Sequence, residues 1–416
     1  MVWLLWVVAF IALVAVAGVW PWLVVRSPLA FLGRFGLQLL ASSLVVLAVA
    51  GTLNQQNGWY GSWSDLSNDL TGTAPTISQQ AVHGPLNGVD RSDSRAAAAA
   101  SRQAQKEFGT QRAAFQRSAK LRGGSPPEGQ YIEVKVRGLG RAAGRSAGKV
   151  LVWLPPGYVN GPQQQTYPVI EAYGGIPGSP QDYSKRMDLQ KIIVQAHRTA
   201  GLVEPIVVIP DYTPGALDTE CVNAPGIAME TWLTTTVPAW ATRHLRVRPD
   251  RNSWATMGFS AGGYCAEVAA FLHPAQYGAA LLFGTYNKPI WGSWRPFGKN
   301  SAGPARYDML AVLRDMPPPI DIWVENSESD RFSSPRVRQL VAAAHSPTSV
   351  TTVVLKGAGH RFGVWQAAMP SAIDWLARSE PGFRGTALPP TGARSTKPSP
   401  AAPSSRTSAP DGTSTF

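Results

Sequence analysis

Histidine and cysteine are scarce in this 416-residue chain, with six of the first and two of the second. No HExxH motif is present, and cysteine and histidine never recur at metal-ligand spacing. A phosphate-binding glycine loop is missing as well, so neither a metal nor an organic cofactor is expected. No internal repeat is found. Charged side chains are absent from residues 1–25, and no Lys or Arg occurs between Arg34 and Arg91. Acidic residues total 26 against 38 basic ones, for a net charge of +12.

The uncharged beginning is filled by "VWLLWVVAFIALVAVAGVWPWLVV", long enough to cross a bilayer, which needs about 20 apolar residues. A second run, "FGLQLLASSLVVLAVAGTL" (35–53), is similar. Arg26 and Arg34 lie between the two runs. Basic loops stay cytoplasmic, so a hairpin over 1–53 is expected to place its bend inside and everything after residue 54 outside. Trp59, Tyr60 and Trp63 suit the headgroup layer. Ala48-Val49-Ala50 resembles a processing site, which gives the alternative of a cleaved signal peptide. Both readings export the rest of the chain. An exported pair of cysteines can form a disulfide, and Cys221 and Cys265 each follow a strand-like run.

Residues 54–128 read as a basic, Ala-rich linker. Its centre, "RSDSRAAAAASRQAQKEFGTQRAAFQRSAKLR", is helical in pattern but has too few large apolar residues to bury a face. A solvated stalk is expected, able to rest on anionic lipid or wall polymer. Nucleic acid is not an expected partner outside the cell. The Pro/Ser/Thr-rich end, 379–416, reads as a disordered tail.

Between 129 and 378 the pattern alternates. Strand-like runs are "YIEVKV", "KVLVWLP", "YPVIEAYG", "PIVVIPDY", "SWATMGF", "GAALLFG", "PIDIWVEN" and "VTTVVLKG". Most are short, continuous and rich in Val and Ile, as for strands buried on both faces. Helical patterns separate them after the third. This predicts an α/β fold with a mostly parallel sheet covered on both faces, and ligands beyond the carboxyl ends of its strands.

Three strand ends carry a coherent set of residues. "GFSAG" (258–262) has a strand before it and a helical pattern after it, the context of a nucleophile held in a tight turn, which makes Ser260 the candidate nucleophile. A serine needs a base. Of the six histidines only His360, in "LKGAGHRFGVW", follows a core strand in a glycine-rich loop. The base needs a carboxylate to orient it. The loop after "IDIWVEN" offers Glu325, Glu328 and Asp330; Glu325 is still in the strand pattern, Asp330 follows its end, and Glu328 is held in reserve. The order Ser260, Asp330, His360 is that of α/β-hydrolases. Oxyanion donors are expected at the N–H of Ala261 and in "EAYGGIPGSPQDY", at Gly175 or Ile176. The aromatic segment "GTYNKPIWGSWRPFGKNSAG" reads as a lid or acyl-binding wall, with Trp291 and Trp294 equally suited to packing.

With these residues in place, "YPVIEAYGGIPGSP", "IPDYTPGALDTECV", "SWATMGFSAGGYCAEVAAFLHP" and "GAGHRFGVWQAAMPSAIDWL" resemble the esterase family of α/β-hydrolases. That family includes esterase D, feruloyl esterases and secreted mycolyltransferases. The likeness covers about 130–378, and the whole chain resembles membrane-anchored esterase-like proteins of actinobacteria. It implies Ser260, Asp330 and His360 as a triad, with oxyanion donors at Ala261 and Ile176. Tyr173 departs from the pattern, since relatives carry His or Asp before the glycine. The implied activity is an exported, membrane-anchored serine esterase acting on a carboxylic ester, a lipid or envelope glycolipid among the options. Alternatives are an acyltransferase using an envelope hydroxyl, a serine peptidase, and a non-catalytic envelope-binding protein.

Overall fold

The computed structural model describes residues 2–19, 28–83, 94–119, 121, 126–139, 147–299, 301 and 303–385. Arg26 and the tail from 386 onward lie outside them.

Short apolar runs make strands because each is covered on both faces. β4 (Val169–Tyr173), β5 (Ile206–Pro210), β8 (Trp254–Phe259) and β9 (Ala279–Phe283) are buried at every position. They belong to a nine-stranded sheet in the order β1-β11-β10-β9-β8-β4-β5-β3-β2. From β11 (Ser349–Leu355) through β10 (Asp321–Ser327) to β5, every neighbour is parallel. β2 (Gln130–Arg137), β3 (Ala147–Leu154) and β1 (Ile77–His83) add antiparallel pairings at the two edges. A two-residue ribbon, β6 (Asn223–Ala224) with β7 (Ile227–Ala228), stands apart in the loop after β5.

Helices cover both faces and enclose two apolar clusters, one on either side of the sheet. The helical pattern over 180–201 resolves into α5 (Asp182–Lys185) and α6 (Leu189–Ala200), divided at Asp188, whose φ of 51° no helix interior allows. The pattern over 229–245 becomes α7 (Met229–Thr231), a π turn (Trp232–Thr236) and α8 (Val237–His244); Pro238, which has no N–H, follows the π turn. α9 (Ala261–Leu272) is buried almost throughout at the centre. α10 (Met309–Asp315), α11 (Ser334–Ala343) and α12 (Phe362–Ser379) complete the layers.

The N-terminal helices α1 (Val2–Val19) and α2 (Pro28–Asn57) are long and apolar enough to cross a membrane. They pack on each other: Trp6 Nε1 donates to Thr52 Oγ1 at 2.9 Å, and Gly51 lies against Leu5 and Val2. α2 runs without a break through Ala48-Val49-Ala50.

The described parts of the region expected to be a solvated stalk lie against the domain instead. α3 (Trp63–Thr71) sits beside the loop after β11, and β1 pairs with β11 itself. α4 (Ser94–Ser118) packs on α8: Phe115 meets Trp240 edge-on at 5.6 Å, and Arg112 is only 4% exposed. The Arg112 guanidinium donates to the Thr242 carbonyl at 2.8 and 3.1 Å. A long side chain with an apolar stem and a multidentate head substitutes for the apolar stripe that α4 lacks.

Candidate active site

The centre of the site is the β8–α9 turn. Gly258 and Gly262 are required there by close approach: a Cβ on Gly258 would overlap the Gly262 carbonyl, and one on Gly262 would overlap the carbonyls of Tyr173 and Gly174. With both turns of backbone in contact, Ser260 is held at φ 55°, ψ −124°, a conformation that costs a non-glycine residue about 1–3 kcal/mol. Its N–H donates to the Phe283 carbonyl at 2.9 Å, which ties the strained residue to the neighbouring strand.

Three strand ends converge on that serine. Ser260 Oγ lies 2.9 Å from His360 Nε2, and His360 Nδ1 lies 2.7 Å from Asp330 Oδ2. His360 and Asp330 are buried while Ser260 is partly open to solvent. The Phe332 and Trp365 rings meet the imidazole edge-on at 5.3 and 4.9 Å, and Gly284 leaves room directly against it.

Asp330 is set up as an acceptor. Its Oδ1 takes the N–H groups of Phe332 and Ser333 at 2.8 and 3.0 Å, and its Oδ2 takes the Ser333 hydroxyl as well as His360. Burial pushes this carboxyl up, but the hydrogen bond and charge of His360, together with the Ser333 donors, outweigh it and hold it below the usual range. Glu328, the reserve candidate, is exposed and makes no part of this line. Glu325 takes the opposite course. It is enclosed in β10, accepts the Gly284 N–H at 3.0 Å and the Ser327 hydroxyl, and is pushed up to about 7 by burial, with the Asp330 charge adding to the rise.

Ala261 is the first residue of α9, where an N–H has no acceptor within the helix. Gly175 and Ile176 follow β4, on the loop whose carbonyls face Gly262. The hydroxyls of Tyr183 and Tyr212 donate to the carbonyls of Tyr173 and Gly174 at 2.9 and 2.6 Å, fixing the peptides that precede the candidate donors. Neither tyrosine was singled out by the sequence: Tyr183 lies 10 residues from the carbonyl it holds and Tyr212 lies 38 from its own. Tyr173, where the family pattern differs, is buried beneath the loop.

Cys221 and Cys265 are joined, with Cα atoms 5.4 Å apart. The bridge fastens the loop after β5 to α9, the helix that begins directly after Ser260. Beside it, Tyr286 donates to the Glu220 carboxylate at 2.8 Å and stacks on Tyr264 at 5.1 Å. Trp291, Trp294 and Phe297 form an aromatic cluster packed onto the core, so both tryptophans have a packing role.

The segment following α2 also reaches the site. The Gly58 carbonyl accepts the His360 N–H at 3.1 Å, and Arg361 is paired with Asp65 at 2.6 Å and with Asp69 at 3.2 Å. A basic residue next to the candidate histidine was the available signal.

This geometry agrees with what the chain is similar to. A family model described as "Putative esterase" matches residues 143–376, more than half of the chain. Among solved structures, a ferulic acid esterase is 17% identical at a TM-score of 0.50, covering 60% of this chain and 98% of its own. An S-formylglutathione hydrolase from Agrobacterium tumefaciens is 16% identical at a TM-score of 0.52, covering 62% of this chain and 97% of its own. At such identities the two likenesses speak for the α/β-hydrolase fold. No curated protein matches the chain by sequence. From the family match over most of the sheet, the chain belongs to the esterase family of α/β-hydrolases and is a serine hydrolase.

Proposed function

We propose that the protein is a membrane-anchored, extracytoplasmic esterase that cleaves carboxylic esters through an acyl-enzyme on Ser260. The observation that carries this reading is the unbroken line from Ser260 Oγ through His360 to Asp330, at 2.9 and 2.7 Å. Ser260 Oγ attacks the ester carbonyl carbon while its proton passes to His360 Nε2. Negative charge gathers on the carbonyl oxygen, where the N–H groups of Ala261 and Ile176, or of Gly175, are the proposed donors. The C–O bond to the alcohol breaks as His360 returns the proton to it. Water then attacks the acyl carbon as its proton passes to His360, the bond from that carbon to Ser260 Oγ breaks as His360 returns the proton to the serine, and the acid is released. Asp330, ionised by its donors, keeps Nδ1 protonated and stabilises the imidazolium.

An alcohol in place of water gives acyl transfer by the same steps, so the second half-reaction decides between the two outcomes. The hairpin α1–α2 supports anchoring by length and composition. Arg34, near the start of α2, and the Cys221–Cys265 disulfide support an outside catalytic domain. The test uses the full chain with a fluorophosphonate probe and p-nitrophenyl esters, with and without an acceptor alcohol. Labelling and turnover that vanish in Ser260→Ala support the reading; labelling that persists in that variant refutes it. Protease protection in intact cells and in broken ones checks the side of the membrane.

A further inference from the structure

One helix beside the site belongs neither to the sheet nor to the hydrogen-bonded line. α3 starts at Trp63, shortly after α2 ends at Asn57, and its two faces differ in kind. Asp65 and Asp69, four residues apart, turn toward the domain and pair with Arg361. Trp63, Leu66 and Leu70 recur at i, i+3 and i+7, which puts them on one stripe away from the acids. Trp63 is 76% exposed and Leu70 79%, with Trp59 at 42% just before the helix. A short helix that spends its acids on docking and leaves tryptophan and leucine bare has the wrong face outward for water.

Its position supplies the missing partner. α3 follows the apolar helix α2 after only five residues, 58–62, and amphipathic segments with Trp and Leu on one face rest in the headgroup layer of a bilayer. The same few residues grip the histidine loop: Gly58 accepts from the His360 N–H, Gly61 abuts Ser329, and the Trp59 carbonyl lies against Gly359. We propose that α3 lies on the surface of the membrane that α1 and α2 cross and holds the mouth of the active site there. The substrate is then a membrane-resident amphiphile, a lipid ester drawn from the bilayer with its acyl chain still partly immersed. This rests on the hydrolase reading above and adds the source and class of the ester.

The experiment uses the full chain in nanodiscs of equimolar phosphatidylcholine and phosphatidylglycerol. Because the native cysteines are paired, a spin label at Leu70→Cys is the sole label. Its relaxation should respond to oxygen and be shielded from an aqueous nickel chelate. A label at Met316→Cys, 74% exposed and just ahead of the amino end of β10, should show the reverse. A Leu70 label as open to the chelate as the Met316 label overturns the proposal. In a second arm, Trp63→Ser combined with Leu70→Ser should lower turnover of a long-chain umbelliferyl ester dissolved in the disc by about tenfold relative to a short-chain ester in water. An unchanged ratio overturns it, as does a change in cross-linked oligomer with the ratio intact, which would assign the stripe to a second copy. Wild-type protein that takes neither the fluorophosphonate nor either ester refutes the hydrolase reading instead, and the depth of the Leu70 label is read independently of that result.

Discussion

The elbow around Ser260 and the segment from Gly58 to Ser118 are fastened to the same sheet by different physics. At the elbow, backbone presses on backbone, and apolar side chains close over it on both faces. The described parts of residues 58–118 are held mainly by separate polar contacts, Arg361 with two aspartates, Arg112 with one carbonyl, and a backbone ladder between β1 and β11, with Phe115 on Trp240 as an apolar addition. Continuous burial imposes a period on a sequence, whereas a single guanidinium on a distant carbonyl imposes none. The first kind of region should also respond to substitution with loss of chemistry or of the fold, the second with modest loss of stability.

The largest effect expected on the elbow side is in the reaction. Ser260→Ala should cut ester turnover by about 10⁴-fold or more, and Asp330→Asn by a similar factor, with the unfolding midpoint of Ser260→Ala unchanged. Glu328→Gln should leave turnover as it is, and a collapse in that variant would move the acid. Next comes the bridge: replacing Cys221 and Cys265 together by Ala should cost about 4 kcal/mol in urea unfolding, from the 44-residue separation they close. A cost near zero would mean that burial alone secures the loop after β5.

Glu325 gives an effect that depends on pH. Its folded value is raised to about 7, so its contribution to stability is full below the ordinary carboxylate range and is lost as the pH climbs through 7. Glu325→Gln should therefore gain on wild type between pH 4 and pH 8 by an amount of order 3 kcal/mol at most, read from urea midpoints. The Ser327 hydroxyl can rotate to accept from the new amide. Asp330, depressed by its donors, works the other way: its contribution is present above the ordinary carboxylate range and is lost on acidification. The smallest effect belongs to the appended segment. Arg112→Ala should cost about 1–2 kcal/mol without touching turnover. A fall in turnover would show that α4 reaches the site after all.

How much of this was legible follows the same division. The run "GFSAG" between a strand and a helix located the elbow, because a tight turn there demands both glycines. His360 stood out among six histidines by its glycine loop after a strand, and Asp330 by lying past the end of β10 where Glu325 does not. The structure brings those three side chains into one line. What the sequence did not show is whatever depends on a partner far along the chain. "TISQQAV" has no apolar alternation to mark β1, whose strand character comes from pairing with β11. Arg112 looked like one more solvated charge, and α3 looked like linker, since neither the Thr242 carbonyl nor Arg361 is near in sequence.

The pairing of β1 with β11 has a consequence for how the protein is made. Ser78 and Val354, partners in that ladder, are 276 residues apart. A ribosome delivers Ser78 a full 276 residues before Val354, so β1 must wait, unpaired, while the strands between them are made. The Gly58 carbonyl waits in the same way for the His360 N–H. Closing a loop of this size costs only about 0.6 kcal/mol more than closing one half as long, but the whole closure entropy must be met before the pairing forms, so distant pairings form slowly. The sheet edge and the histidine loop are thus completed by one late event, and a chain cut short before β11 would lack both His360 and the Phe362 and Trp365 rings that pack on Phe259 beside Ser260.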